Sequence, residues 1–108
     1  MTSLMTELQN VQPREVFPGF QGRFVHSDNM TFAYWEIRKG ATVPLHSHVH
    51  EQVANMLEGE FELEIDGQKH RLSPGSVAVI PSNAMHTGIA LSDCRILDVF
   101  SPVREDYK

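Results

Sequence analysis

The residues best suited to chemistry are two histidines, His46 and His48, which are separated by one residue. On a strand, side chains two positions apart point to the same side, so both imidazoles would face one ligand. If the extended backbone continues, His50 and Gln52 share that side and Glu51 points away. Imidazole nitrogens and an amide oxygen suit a divalent transition metal. Taken alone, the histidine pair also fits a solvated polar loop.

A further candidate ligand, His86, follows the apolar run 76–80 and a turn that begins at Pro81. A hairpin return after this turn would bring His86 opposite His46 and His48. Three neutral imidazoles and one amide oxygen would hold a single ion and leave positions open for water or substrate. This donor set accepts Zn²⁺, Ni²⁺, Fe²⁺ or Mn²⁺, so the sequence predicts one divalent metal per chain without identifying it.

Another candidate is Asp98, which lies between Ile96 and Phe100 on one side of a predicted strand. A carboxylate among apolar neighbours costs free energy unless it is paired or functional. One interpretation is a general acid or base near the metal, with Phe100 as an apolar wall. The other is an ion pair with one of three arginines, namely Arg23, Arg95 or Arg104.

Short strands separated by turn residues must position these side chains. The pattern predicts strands over residues 30–37, 58–65, 68–72, 76–80 and 95–101. Alternating glutamates in 58–65 indicate one solvated strand face, and Asp66-Gly67 predicts a tight hairpin. Gly59 is the expected bend at which the inward positions change from even to odd. Several short strands without a long helix predict an all-β barrel or sandwich.

Length and composition allow a single domain of 108 residues and 12.2 kDa, with residues 1–20 as an N-terminal arm and 21–108 as the barrel. The formal net charge of −5 argues against a nucleic-acid or anionic-membrane partner. No apolar run reaches the length of a spanning helix, and the N-terminus lacks the pattern of a secretory leader. The single cysteine, Cys94, fits a reducing compartment, so we expect a cytoplasmic protein. Histidines outside the cluster, His26 and His70, are expected at the surface.

The spacing of the candidate ligands resembles the two motifs of the cupin superfamily. The first motif reads Gly40, five residues, His46, one residue, His48, three residues, Gln52, six residues, Gly59. The second reads Gly75, five residues, Pro81, one residue, Asn83, two residues, His86. The resemblance implies a small double-stranded β-helix (jelly-roll) barrel that holds a metal through His46, His48, Gln52 and His86.

Three positions depart from the usual cupin pattern. Gln52 stands where glutamate is usual, Asn83 where glycine is usual, and Ala90 where asparagine is usual. The last two are turn and edge positions of little consequence. The neutral amide of Gln52 leaves the ion's charge uncompensated, which favours Lewis-acid chemistry on an anionic substrate.

The tail 98–107 and the stretch 80–86 resemble the small cupins of the pectin-degradation KdgF type, over about residues 40–107. The resemblance implies ring opening of 4,5-unsaturated monouronates from pectin or alginate to linear 5-keto-4-deoxyuronate, with no organic cofactor. It implies that Asp98 is the catalytic acid and base and that Phe100 and Arg104 contact substrate. A salt bridge of Arg104 to Glu105 or Asp106 is the alternative. A homodimer, with the arm packed on the second subunit, is also expected.

Two other functions remain open at this point. The cupin barrel also hosts iron-dependent dioxygenases, which need O₂ and a redox-active metal. It also hosts sugar- or ligand-binding proteins without catalysis. The fold alone does not choose among the three.

Overall fold

The computed structural model describes residues 4–108, which form ten strands and two single-turn 3-10 helices. The strands are β1 (Arg14–Phe17), β2 (Phe20–His26), β3 (Thr31–Ile37), β4 (Thr42–His46), β5 (Glu51–Glu58), β6 (Phe61–Ile65), β7 (Gln68–Leu72), β8 (Val77–Ile80), β9 (His86–Ala90) and β10 (Cys94–Ser101). The helical turns are Leu8–Asn10 and Glu105–Tyr107. No helix in residues 4–108 is long and apolar enough to cross a membrane.

Two antiparallel sheets face each other across one core. The larger has the strand order β1-β2-β3-β10-β5-β8 and the smaller has the order β4-β9-β6-β7. Alternate residues of each strand point inward, as the period of a strand requires. The inward set includes Trp35, Met56, Phe61, Leu63 and Ile96, each 6% exposed or less. The predicted all-β jelly-roll barrel is confirmed.

Most predicted strands are present, but their limits differ at turns. The hairpin between β6 and β7 has positive φ at Asp66 (47°) and Gly67 (83°), as a two-residue type I′ turn requires. The predicted strand 58–65 is divided, because Glu58 ends β5 and Gly59 turns the chain at a φ of 82°. The expected bend at Gly59 is therefore a full turn between two strands in different sheets.

Of the segment 1–20, predicted as an arm, residues 1–3 lie outside the described residues, and the second half contains a strand. Arg14–Phe17 form the edge strand β1, which pairs with β2. Phe20 is buried at the start of β2. The chain is therefore part of the larger sheet from Arg14 onward. Residues 4–13, which precede this strand, contain no strand of their own.

Replacing Gly59 by alanine is expected to lower the free energy of unfolding by about 2 kcal/mol or more. Its positive φ strains any L residue, and an added methyl group would press on the Asp93 carbonyl oxygen and the Cys94 side chain. Gly75 has a φ of 94° with nothing near its Cβ position, so Gly75→Ala measures the backbone strain alone. Urea denaturation compares the two variants. Equal losses would contradict the crowding at Gly59.

Candidate metal centre and its cavity

Three histidines meet where β4 ends and β9 begins. His46 is the last residue of β4 and His86 the first of β9, and the two are cross-strand partners with ring centroids 4.2 Å apart. His48 lies in the connection 47–50, with its ring centroid 4.9 Å from that of His86. One nitrogen from each ring lies within 4.8 Å of the others, so the three could hold a metal ion. His86 lies opposite His46 as expected, but the predicted hairpin return is wrong, because β8 and β9 belong to different sheets.

The connection that carries His48 is tied to the turn before β9. The Asn83 backbone N–H donates to the His48 carbonyl oxygen at 2.8 Å. The Ser82 hydroxyl donates to the Val49 carbonyl oxygen at 2.5 Å. Asn83 has a φ of 66°, in the left-handed region that asparagine tolerates better than most residues. The extended backbone does not continue through His50, and the cluster found in residues 4–108 consists of His46, His48 and His86.

Backbone carbonyls decide which nitrogen each histidine presents. Nδ1 of His46 lies 2.6 Å from the Pro44 oxygen, Nδ1 of His48 lies 2.9 Å from the His50 oxygen, and Nδ1 of His86 lies 2.9 Å from the Ala84 oxygen. A carbonyl only accepts, so Nδ1 carries the proton in all three rings and Nε2 presents a lone pair. Such hydrogen bonds orient and tautomerically fix metal-binding histidines.

The donor set fits a divalent ion on two observations. Nε2 of His86 is buried with no hydrogen-bond partner. Nε2 of His48 lies 3.1 Å from Oε1 of Gln52, so two acceptors face each other. A cation between them would accept a lone pair from each and so satisfy this contact. Gln52 is buried and Glu51 is exposed, as the strand phase predicts.

Burial also keeps the imidazoles of His48 and His86 in the neutral form that binds metal. Burial lowers the pKa of His86 to about 4, with smaller effects from the neighbouring charges. Burial, followed by the Arg104 charge, lowers the pKa of His48 as well. Both imidazoles are therefore neutral near pH 7.

Asp98 lies in the centre of β10 and faces the barrel interior at 8% exposure. Its Oδ2 accepts a 2.9 Å hydrogen bond from Nε1 of Trp35, whereas its Oδ1 is buried without a partner. Burial raises the pKa of Asp98 to about 6, and the Gln52 and Trp35 side chains and the Arg104 charge act in the opposite direction. Within residues 4–108, Asp98 has no ion pair.

The three arginines that were candidates for such a pair all bind other carboxylates. Arg23 and Arg95 lie 3.9 and 3.1 Å from Glu36, and Arg104 lies 2.7 Å from Asp106. The ion-pair interpretation of Asp98 is therefore wrong. The sequence pattern did not indicate Trp35, because a contact between residues 63 positions apart leaves no local signal.

Arg104 combines the two interpretations that the sequence left open. It pairs with Asp106 through Nε (3.0 Å) and Nη2 (2.7 Å). It is nevertheless only 9% exposed and lines the interior cavity. Its guanidinium lies over the rings of Phe100 (4.8 Å) and Tyr107 (4.2 Å), so two aromatic faces and one carboxylate hold it in place.

His26 at the end of β2 and Thr31 at the start of β3 hold the C-terminal segment that carries Arg104. Thr31 Oγ1 accepts from the Arg104 backbone N–H at 2.8 Å and lies 2.8 Å from His26 Nδ1. His26 Nε2 lies 3.2 Å from the Tyr107 carbonyl oxygen, to which it donates. His26 is half-buried with both ring nitrogens in hydrogen bonds, whereas His70 is exposed as expected.

Most of the groups that could bind a ligand line one cavity between the sheets. Its volume is about 60 Å³. The polar residues that line it include His46, Gln52, His86, Asp98 and Arg104, and the apolar ones include Trp35 and Phe100. Among the described residues that line it, Arg104 carries the one permanent positive charge. The cavity thus suits a small anionic ligand beside a metal.

Comparison with known proteins identifies the family. Residues 33–100 match the cupin domain family. The pectin degradation protein KdgF of Dickeya dadantii (strain 3937) is 35% identical over 83 residues, which cover 75% of this chain and 76% of that protein. The structure of KdgF from Halomonas sp. has a TM-score of 0.91 at 33% identity and covers 99% of this chain and 100% of that one. L-ectoine synthase of Marinomonas sp. (strain MWYL1) is 33% identical over 79 residues, 69% of this chain and 61% of that protein.

A jelly-roll barrel with three clustered histidines, together with these matches, places the chain in the cupin family. Within that family its relatives at one third identity include two KdgF proteins. The domain match ends at Phe100, whereas the structural match extends over the C-terminal segment with Arg104.

Thr31→Val is expected to lower the free energy of unfolding by about 1–3 kcal/mol, because it leaves the buried Arg104 N–H without its acceptor. Thr31 is 0% exposed, so water cannot replace the hydroxyl. Thr42→Val on the exposed face of β4 is the matched control. Chemical denaturation measures both, and a loss no larger in Thr31→Val than in the control would contradict this role.

Proposed function

We propose that this chain opens the ring of 4,5-unsaturated monouronates to linear 5-keto-4-deoxyuronate in a metal-dependent reaction. The observation that carries the proposal is one cavity with three kinds of group. These are the histidine cluster, a buried carboxylate oxygen of Asp98 without a partner, and the guanidinium of Arg104. The relationship to a protein named for pectin degradation supports the same substrate class.

Arg104 and Phe100 would bind the substrate. Asp106 takes Nε and Nη2 of Arg104, so Nη1 remains for the C6 carboxylate of the uronate. Phe100 is 2% exposed and lies beneath the guanidinium, where its ring forms an apolar wall for the sugar.

Asp98 would move one proton. The substrate is a cyclic hemiacetal whose ring oxygen is also an enol ether at C5. When Asp98 Oδ1 accepts the C1 hydroxyl proton, the C1–O5 bond breaks and its electron pair passes to O5, which gives an aldehyde and an enolate. The proton is then delivered to C4, which leaves a ketone at C5. The reaction is an isomerisation, so no oxidant and no organic cofactor enter the balance.

His46, His48, His86 and Gln52 would hold the metal. A divalent ion there supplies Lewis-acid stabilisation of the negative charge that develops next to the uronate carboxylate. The neutral Gln52 amide would leave the positive charge of the ion uncompensated. Zn²⁺, Ni²⁺, Fe²⁺ and Mn²⁺ all accept this donor set. Monouronates from pectin and alginate lead to the same kind of product, so we propose that one cytoplasmic enzyme serves both.

The test follows the ultraviolet absorbance of an unsaturated monouronate, which the conjugated C4=C5 bond gives and the linear product lacks. Metal-loaded protein should accelerate the loss, and chelator-stripped protein should not. Asp98→Ala should reduce kcat by about 100-fold or more with its metal content unchanged. Asp28→Ala, at an exposed turn, is the matched control and should retain the activity.

A fully metallated protein that leaves the spontaneous rate unchanged would contradict ring opening. Oxygen uptake with candidate substrates would then favour the dioxygenase alternative. Loss of the metal in Asp98→Ala would show that the carboxylate serves the metal site rather than proton transfer.

We also propose a homodimer that covers the outer face of the larger sheet. One row of outward side chains crosses five strands and is apolar throughout: Val25, Phe32, Val99, Val53 and Val79. A sheet that faces water on one side normally carries polar residues there. Residues before β1 extend along the same face, where Arg23 Nε donates to the Val11 carbonyl oxygen at 3.1 Å. Leu4, the first described residue of this segment, is fully exposed. Such exposure is expected of an arm that packs on a second copy of the chain.

The double variant Val77→Lys/Val79→Lys is expected to be monomeric where the wild type sediments as a dimer. Both side chains are more than half exposed in the single chain, so the folded monomer tolerates lysine at either position. Thr42→Lys on the smaller sheet is the control. Sedimentation velocity measures the mass of each. A dimer that survives the double variant, or a monomeric wild type, would contradict this interface.

A further inference from the structure

The two oxygens of the Asp98 carboxylate have different environments. Oδ2 accepts a 2.9 Å hydrogen bond from Nε1 of Trp35. Oδ1 is fully buried and has no hydrogen-bond partner. Both residues line the same cavity as His46 and His86. Trp35 therefore anchors one oxygen, and the other has no hydrogen-bond partner within residues 4–108.

The anchor itself is rigid. Trp35 is 5% exposed on β3, the strand next to β10. Its ring makes edge contacts with three aromatic rings, at centroid distances of 5.8 Å to Phe20, 5.4 Å to Phe24 and 6.1 Å to Tyr107. Rings packed on several sides have little rotamer freedom, so the direction of the indole N–H is set by the core.

The strands beside Asp98 leave room for a ligand. Its cross-strand neighbours are Ala33 on β3 and Ala54 on β5, both buried. Alanine methyl groups do not reach across the carboxylate, so neither neighbour can bond Oδ1. The Trp35 hydrogen bond fixes Oδ2, and the Gln52 side chain is the other polar group that acts on the carboxylate.

We infer that Trp35 is a positioning residue, which holds Asp98 by Oδ2 and so assigns Oδ1 as the atom that exchanges a proton with the substrate. This inference rests on the proposed function for the identity of the substrate. It concerns a residue that the motif spacing does not include, and it divides the roles of the two carboxylate oxygens. Without the N–H, the carboxylate would rotate and its productive orientation would be less populated.

The chain contains a single tryptophan, so an analogue supplied during expression enters only this position. Benzothienylalanine replaces the indole N–H with sulfur in a ring of nearly the same shape. We expect kcat for the unsaturated monouronate to fall by about 10-fold or more, because a charge-assisted hydrogen bond is lost. KM should stay within about twofold, because Arg104 and Phe100 still bind the sugar.

5-Fluorotryptophan keeps the N–H and provides the rescue. It should restore kcat to within about threefold of the natural protein. Metal content and the circular dichroism spectrum should be the same for both analogues. A kcat with benzothienylalanine equal to that with 5-fluorotryptophan would overturn the inference.

A second measurement separates this inference from the proposed substrate. The single indole gives one ¹H–¹⁵N resonance, which should lie downfield and exchange slowly with solvent. Asp98→Asn should shift it upfield, because an amide oxygen is a weaker acceptor than a carboxylate. Asp28→Asn should leave it in place. A resonance unmoved by Asp98→Asn would overturn the anchor, whereas a shifted resonance in a protein without ring-opening activity would support the anchor and refute the substrate.

Discussion

The backbone carbonyls of Pro44, His50 and Ala84 impose the constraint on which the site depends. Each accepts the Nδ1 proton of one clustered histidine, so each Nε2 presents a lone pair toward the same point. The three Nε2 lone pairs and the nearby Gln52 amide oxygen are all hydrogen-bond acceptors, so they cannot hydrogen-bond to one another. A cation bound between these acceptors would satisfy them together. His48 and His86 are neutral, so neither must lose a proton before it binds the cation.

The barrel makes that arrangement possible by dividing its interior between an apolar core and a polar cluster. His46 and His86 face each other because β4 and β9 are adjacent strands, and Gln52 and Asp98 share an inward phase on β5 and β10. Strands are stiff supports, so these side chains need little further ordering when a ligand enters. The C-terminal segment adds Arg104, which Asp106 and two aromatic rings hold at the cavity.

Motif spacing and strand periodicity predicted those features of the site that depend on residues close together in sequence. The motif spacing predicted the histidine cluster, and the two-residue period of a strand predicted the inward position of Gln52. The absence of a polar face around Asp98 correctly indicated a buried carboxylate. Trp35, Thr31 and the role of His26 were not predictable, because their partners lie far away in sequence and no periodicity encodes them. The strand Arg14–Phe17 was not predicted, because its pairing with β2 determines it.

Proton transfer by Asp98 to one face of the substrate is the central claim of the mechanism. A ¹H NMR time course of the unsaturated monouronate in D₂O with metal-loaded protein tests it most directly. Delivery of the proton by a fixed side chain predicts one deuterium at C4, in one of the two prochiral positions. Equal deuteration of both positions while the substrate disappears faster than in buffer would mean that the enzyme releases the enol and that solvent protonates it. That result would contradict the role assigned to Asp98.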